Sequence, residues 1–87
     1  MALYLVERKQ AEISIEQLLA AQRAAIEMAC HFTAKGKPAR YIRTTHLPSE
    51  SRCLTLFEAP NAKVVQEVNE TAQIPFDRII EALELTP

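Results

Sequence analysis

Apolar residues run along this chain in two rhythms, and the switches between them mark out its elements. The first run, Ala2-Leu3-Tyr4-Leu5-Val6-Glu7-Arg8, is dense in branched and aromatic side chains and too short for a stable helix, so it predicts a strand. From Ile13 the spacing changes. Ile15, Leu18, Leu19, Ala25, Ile26, Ala29 and Phe32 recur at helical intervals, with Glu16, Arg23 and Glu27 elsewhere, and this apolar set is expected to face the core. Ser14 stands three residues before Gln17, so its hydroxyl can accept from the Gln17 amide while the Gln17 side chain reaches back, and Ile13 can staple onto Leu18. Alanines at 20, 21, 24, 25 and 29 favour the helix and let it lie close on a sheet. Gly36 supplies a left-handed cap, and Pro38 blocks continuation.

The second half repeats the pattern. Arg40-Tyr41-Ile42-Arg43-Thr44-Thr45-His46 and Arg52-Cys53-Leu54-Thr55-Leu56-Phe57-Glu58 read as two strands of a hairpin joined by the loop Leu47-Pro48-Ser49-Glu50-Ser51. Pro60-Asn61 opens a second helix with Val64, Val65, Val68 and Ala72 on one face, and Pro75 ends it. The tail from Arg78 to Leu85 fits a strand or a short helix by pattern alone; the loop before it and the alternation of elements favour a strand. The order strand, helix, strand, strand, helix, strand predicts one α+β domain over residues 1–87, ferredoxin-like βαββαβ. Right-handed crossovers then put both helices on one face of a four-stranded antiparallel sheet of order 4-1-3-2.

That arrangement has a consequence for assembly. Leu3-Tyr4-Leu5-Val6 and Leu54-Thr55-Leu56-Phe57 carry large apolar side chains at both parities, so both sheet faces want cover and the helices supply it to one. A homodimer through the other sheet face is the expectation.

Composition narrows the functional classes. In 87 residues, ten Lys and Arg face eleven Asp and Glu, a net charge of −1, whereas a nucleic-acid binder normally carries a basic excess on one face. The basic cluster Lys35, Lys37, Arg40 and Arg43 reads as solvated surface with helix C-terminal charge. No apolar run is long enough for a membrane span, no leader pattern is seen, and the two cysteines, Cys30 and Cys53, lack CxxC or zinc spacing. The expectation is a cytoplasmic protein with free thiols, and no partnership with nucleic acid or membrane.

The candidate chemistry is spread over several strands. Glu7, closing the first strand, and Glu58, closing the third, are candidates to converge at one sheet end and bind a cation or activate water. His46 is the strand histidine, a candidate base or metal ligand beside a turn. Tyr4, Tyr41 and Arg43 form a possible ligand-lining set, with Tyr41 and Arg43 expected on one face because they are two apart. Cys53 reads as a buried structural thiol, with Arg52 directed to the opposite face. There is no HExxH and no histidine pair at helical spacing, so the residues assign no metal site.

Tyr4-Leu5-Val6-Glu7-Arg8, Tyr41 and Arg43, the block Cys53 through Phe57-Glu58-Ala59-Pro60, and Val68 through Ile74-Pro75-Phe76-Asp77-Arg78-Ile79 together resemble a family of small ferredoxin-like proteins. That family is catalogued as a domain of unknown function, and one branch binds nickel. The resemblance implies a ferredoxin-like dimer, with nickel as a possible cofactor. The nickel-binding branch carries histidines at the end of the first strand and in the second helix. The corresponding regions here hold Glu7-Arg8 and Val68-Asn69-Glu70, with none.

The absence of a nucleophile–base spacing favours a non-enzymatic homodimer binding a small molecule or metal, with Tyr4, Glu7, Tyr41, Arg43, His46 and Glu58 as candidate contacts. The alternative is a cofactor-free dimeric α/β-barrel enzyme of oxygenase, isomerase or lyase type, using His46, Tyr41 or Glu7 as acid or base.

Overall fold

The computed structural model describes residues 1–9 and 12–87. In chain order it forms β1 (Ala2–Lys9), α1 (Ile15–Ala34), β2 (Arg40–Leu47), β3 (Arg52–Ala59), α2 (Ala62–Thr71) and β4 (Arg78–Ala82). A single 3-10 turn, Pro48–Glu50, sits inside the β2–β3 connection. The strands are antiparallel in the order β2-β3-β1-β4, which is the predicted order read from the other edge. β4 stops at Ala82, short of the expected Leu85.

Helix boundaries follow local chemistry. Ser14 Oγ accepts from Gln17 N at 3.1 Å, and Gln17 Oε1 accepts from Ser14 N at 2.9 Å, closing a capping box. At the other end Lys37 N donates to Phe32 O and Gly36 N to Thr33 O, with Gly36 at φ +86°, a conformation that costs glycine nothing. Asn61 caps α2 by accepting from Val64 N.

Strand register sorts the sheet into two faces. Tyr4, Val6 and Arg8 of β1 lie beside Phe57, Thr55 and Cys53 of β3, and these beside Tyr41, Thr44 and His46 of β2. This is the helix-covered face: Tyr4, Val6 and Phe57 join Ala25 and Ala29 of α1 and Val64, Val65 and Val68 of α2 in the core. Fully burying side chains such as Phe57, Val65 and Val68 stabilises by about 1.5–3 kcal/mol each. Leu3, Leu5, Glu7, Leu54, Leu56 and Glu58 occupy the open face.

α1 departs from its expected burial. Ile15, Leu19 and Ile26 are exposed, while Ala25 and Ala29 are buried and Leu18, Met28 and Phe32 partly so. The exposed three lie about 60–100° around the helix from the Leu18–Ala25–Ala29 line, beyond the arc that the sheet covers. Small alanines form the contact line, which brings helix and sheet close.

The chain beyond β4 turns across the open face. Glu84, two residues past β4, pairs with Arg43 of β2, although β4 and β2 are the two edges of the sheet. Leu56, which stands beside Arg43 in the register, is only 3% exposed on that face.

Candidate functional site

The helix-covered face changes character along its length. Its strands contribute three transverse rows: Tyr41–Phe57–Tyr4, then Thr44–Thr55–Val6, then His46–Cys53–Arg8. The first row is apolar packing, with the Tyr41 ring edge-on to Phe57 at 5.7 Å between centroids. Beyond it the side chains are largely polar. The Tyr41 hydroxyl bonds to Thr44 Oγ1, which bonds in turn to Thr55 Oγ1 at 3.0 Å. His46 Nδ1 lies 3.2 Å from Cys53 Sγ.

Two local features of the β2–β3 hairpin build these rows. The register slips between Tyr41 and Arg43, so residues 41, 44 and 46 share the helix side. Ser51, in the left-handed region at φ 51°, closes the 3-10 turn and brings His46 opposite Cys53.

His46 also forms a wall of a groove of about 620 Å³ at the start of α1, with Glu12, Ile13, Ser14, Gln17, Pro48 and Ser51. Its Nδ1 is engaged with Cys53, and its Nε2 has no protein partner among the described residues. If the thiol donates to Nδ1, Nε2 carries the proton and donates into the groove; in the other tautomer Nε2 is a lone pair. Cys53 itself is 0% exposed and lies out of reach of anything in the groove.

Arg8 occupies the third row on β1 and is 9% exposed. Its Nε is buried without a hydrogen-bond partner, and no carboxylate among the described residues pairs with its guanidinium. It lines a cavity of about 20 Å³ under α1 together with Gln22, Tyr41, Thr44, Thr55 and Asn69. Asn69 is 2% exposed and spends Nδ2 on Val65 O at 2.8 Å.

The residues singled out in the sequence do not form one site. Tyr4 is core packing at 8% exposure. Glu7 and Glu58 lie toward opposite ends of the sheet, Glu7 across from Leu54 and Glu58 across from Leu3, because the C-terminal ends of antiparallel neighbours point in opposite directions. The expected carboxylate pair is therefore not formed. Each acid has basic partners instead: Glu58 takes Arg40 Nε at 3.1 Å, and Glu7 takes Arg78 Nε at 3.0 Å and Arg52 Nη2 at 3.5 Å. The hydrogen bond from Arg78 holds the Glu7 carboxyl below its ordinary pKa, with further attraction from Arg78, Arg52 and Lys9, and against the opposing effect of burial. Tyr41 and Arg43, expected on one face, are on opposite faces because of the register slip. Arg52 does point away from Cys53, as expected.

Sequence reasoning missed the His46–Cys53 pair, which depends on hairpin register, and it missed Arg8. Arg8 had a readable signal: it continues the Tyr4–Val6 parity and so puts a cation in a core position. In the basic cluster, Lys37, Arg40 and Arg43 pair with Glu67, Glu58 and Glu84, and so do not present a bare phosphate-binding track.

The comparisons with known proteins agree with this architecture. The family model described as SCO4226-like, nickel responsive protein SCO4226-like, matches residues 4–82. The crystal structure of SCO4226 from Streptomyces coelicolor A3(2) superposes with a TM-score of 0.80 at 23% identity, covering 98% of this chain and 100% of that one, a likeness of fold. No curated protein matches the chain. The chain belongs to the SCO4226-like family. The residues of this chain do not fit a nickel centre of their own: among the described residues no three His, Cys, Asp or Glu side chains gather closely enough to hold a metal ion. The groove offers the His46 imidazole and the Glu12 carboxylate, fewer donors than a square-planar or tetragonal site requires.

Proposed function

We propose that this SCO4226-like protein is a non-enzymatic binding module that takes a small polar ligand in the His46 groove and works as a homodimer in the cytoplasm. The observation that carries this reading is the state of His46. One ring nitrogen is held by Cys53 and the other has no partner among the described residues, on a side chain that walls the groove. A ring fixed in this way presents its free nitrogen without the entropy of ordering a mobile side chain. Ser14 and Gln17 bring further polar atoms to the same groove, although their capping bonds already use some of them.

The enzyme reading lacks comparable support. A nucleophile has to touch its substrate, and the His46–Cys53 pair buries its thiol completely. No helix is long and apolar enough to cross a membrane. Both cysteines are free, one exposed and one buried, which suits a reducing compartment. The homodimer reading rests on the open sheet face, where Leu3, Leu5 and Leu54 remain partly exposed between Glu7 and Glu58.

Native mass spectrometry of freshly purified protein tests the proposal, with His46→Ala alongside wild type. The expected result is a dimer carrying a retained small molecule in wild type, and a dimer without it in the variant. A bare wild-type monomer would overturn both parts. Calorimetric titration with nickel chloride supplies the other arm: a tight stoichiometric nickel site abolished in His46→Ala would replace the organic ligand with the metal.

A further inference from the structure

We infer that the small cavity under α1 is a binding site for a single small monoanion of about halide size, held against Arg8. This site is separate from the His46 groove and does not depend on its ligand.

A guanidinium stays protonated at any physiological pH, and a buried cation without a partner is strongly disfavoured because it has given up its hydration. Arg8 is 9% exposed, and no described carboxylate reaches it. Glu7, its neighbour in the chain, is on the other face of the sheet and is occupied by Arg78 and Arg52. The positive charge has no carboxylate partner in the described chain, and the Nε edge of the guanidinium is shut off from water without a hydrogen bond.

Hydrogen-bond counting points the same way. Tyr41, Thr44 and Thr55 form a chain of three hydroxyls joined by two bonds, so three O–H donors serve two links. One hydroxyl hydrogen is left over, with no protein acceptor among the described residues. The buried Arg8 Nε–H is a second unused donor on the same cavity, and the Gln22 side-chain amide, unpartnered among the described residues, brings both a donor and an acceptor. A cavity rich in unused donors and bordered by a cation selects an acceptor that carries negative charge. At about 20 Å³ it accommodates roughly one water-sized species, which excludes sulfate, phosphate and larger carboxylates from full entry. A water molecule would satisfy the donors and leave the charge unmatched; the experiment separates the two occupants.

The unfolding midpoint is measured at constant ionic strength while sodium gluconate, too large to enter, is replaced stepwise by sodium chloride, nitrate or formate. A ligand that binds only the folded state raises stability saturably with its concentration. Wild type is expected to show such a rise with the small anions, and Arg8→Met to lose it. Thr55→Val removes a hydroxyl that lines the cavity and is expected to weaken the apparent affinity about tenfold, the size of one hydrogen bond to a charged group. An identical midpoint in gluconate and in all three small anions would overturn the inference and leave water as the occupant. So would an unchanged anion response in Arg8→Met. If Arg8→Met does not fold, chloride-35 line broadening by wild-type protein, reduced in Thr55→Val, decides the matter: no broadening beyond that of a gluconate-equilibrated control protein, or equal broadening in both proteins, overturns it.

Discussion

Tyr41 and Arg43 are two residues apart on β2 yet face opposite sides of the sheet, Tyr41 opposite Phe57 and Arg43 opposite Leu56. Tyr41 contributes a ring to the core and a hydroxyl to the Thr44–Thr55 chain. Arg43 pairs with Glu84 at the surface, where both side chains are more than a third exposed. The two positions should therefore respond differently to truncation. Tyr41→Phe should cost about 1 kcal/mol through the lost hydroxyl bond. Arg43→Ala should fall within about 1 kcal/mol of wild type, as exposed ion pairs generally do. Urea unfolding midpoints measure both, and a larger loss for Arg43→Ala would mean that its pairing across the open face matters more than its exposure suggests.

The same pair of residues marks how far the sequence could be read. Element order and strand order followed from hydrophobic rhythm, capping signals and crossover handedness, all of which are local or general rules. The Ser14 cap and the Gly36 turn were legible for the same reason. Which side chains meet was not, because that depends on register, and one slip moves every later side chain to the other face. The slip between Tyr41 and Arg43 carries no glycine or proline to announce it. It places His46 beside Cys53, and antiparallel pairing sends Glu7 and Glu58 toward opposite ends. The exposed Ile15, Leu19 and Ile26 show the corresponding limit for helices: periodicity gives an apolar sector, and the width of sheet beneath decides how much of it is buried.

Glu7 links the sheet to acid stability. Its folded pKa is held low, chiefly by the hydrogen bond from Arg78, while an unfolded glutamate titrates in the ordinary carboxylate range. The folded state thus favours the charged form. The resulting stabilisation is fully present above the unfolded pKa and is lost as pH falls through the folded one. Wild type should lose stability on acidification from about pH 5 downward, and Glu7→Gln should be less stable near neutrality with a flatter acid limb. Thermal midpoints across that range measure it; parallel acid limbs would assign the acid sensitivity to other carboxylates.

Ser14 closes a reciprocal cap through two hydrogen bonds with Gln17. Ser14→Ala removes the hydroxyl acceptor for Gln17 N and should cost about 1 kcal/mol, with Ser14→Asp recovering most of it. The unfolding midpoint is the readout, and a midpoint equal to wild type in the alanine variant would mean that α1 is held by its packing with no net contribution from the cap.

The dimer reading can be tested by strand parity, because the register states which face each residue serves. Leu5 and Leu54 are on the open face and remain partly exposed, whereas Tyr4, at 8% exposure, and Thr55 face the helices. A lysine on the helix-covered side strands a charge in the core, so Tyr4→Lys should unfold the protein. A lysine at Leu5 or Leu54 sits where its ammonium can reach water in a monomer, so the fold should survive. In a twofold sheet-on-sheet contact the same lysine meets the partner's apolar face, and association should weaken. The C-terminal chain complicates the surface, since it turns over this face to place Glu84 on Arg43 and leaves Leu83 and Leu85 nearly fully exposed. Those leucines extend the apolar area beside the strands, and a stable interface of standard size removes about 1,200–2,000 Å² in total. Sedimentation velocity at tens of micromolar, paired with circular dichroism, separates the cases. Wild type should sediment as a dimer, Leu5→Lys and Leu54→Lys as folded monomers, and Tyr4→Lys should lose its folded spectrum. Wild-type monomer would end the homodimer proposal; dimeric Leu5→Lys and Leu54→Lys would move the interface away from the open sheet face.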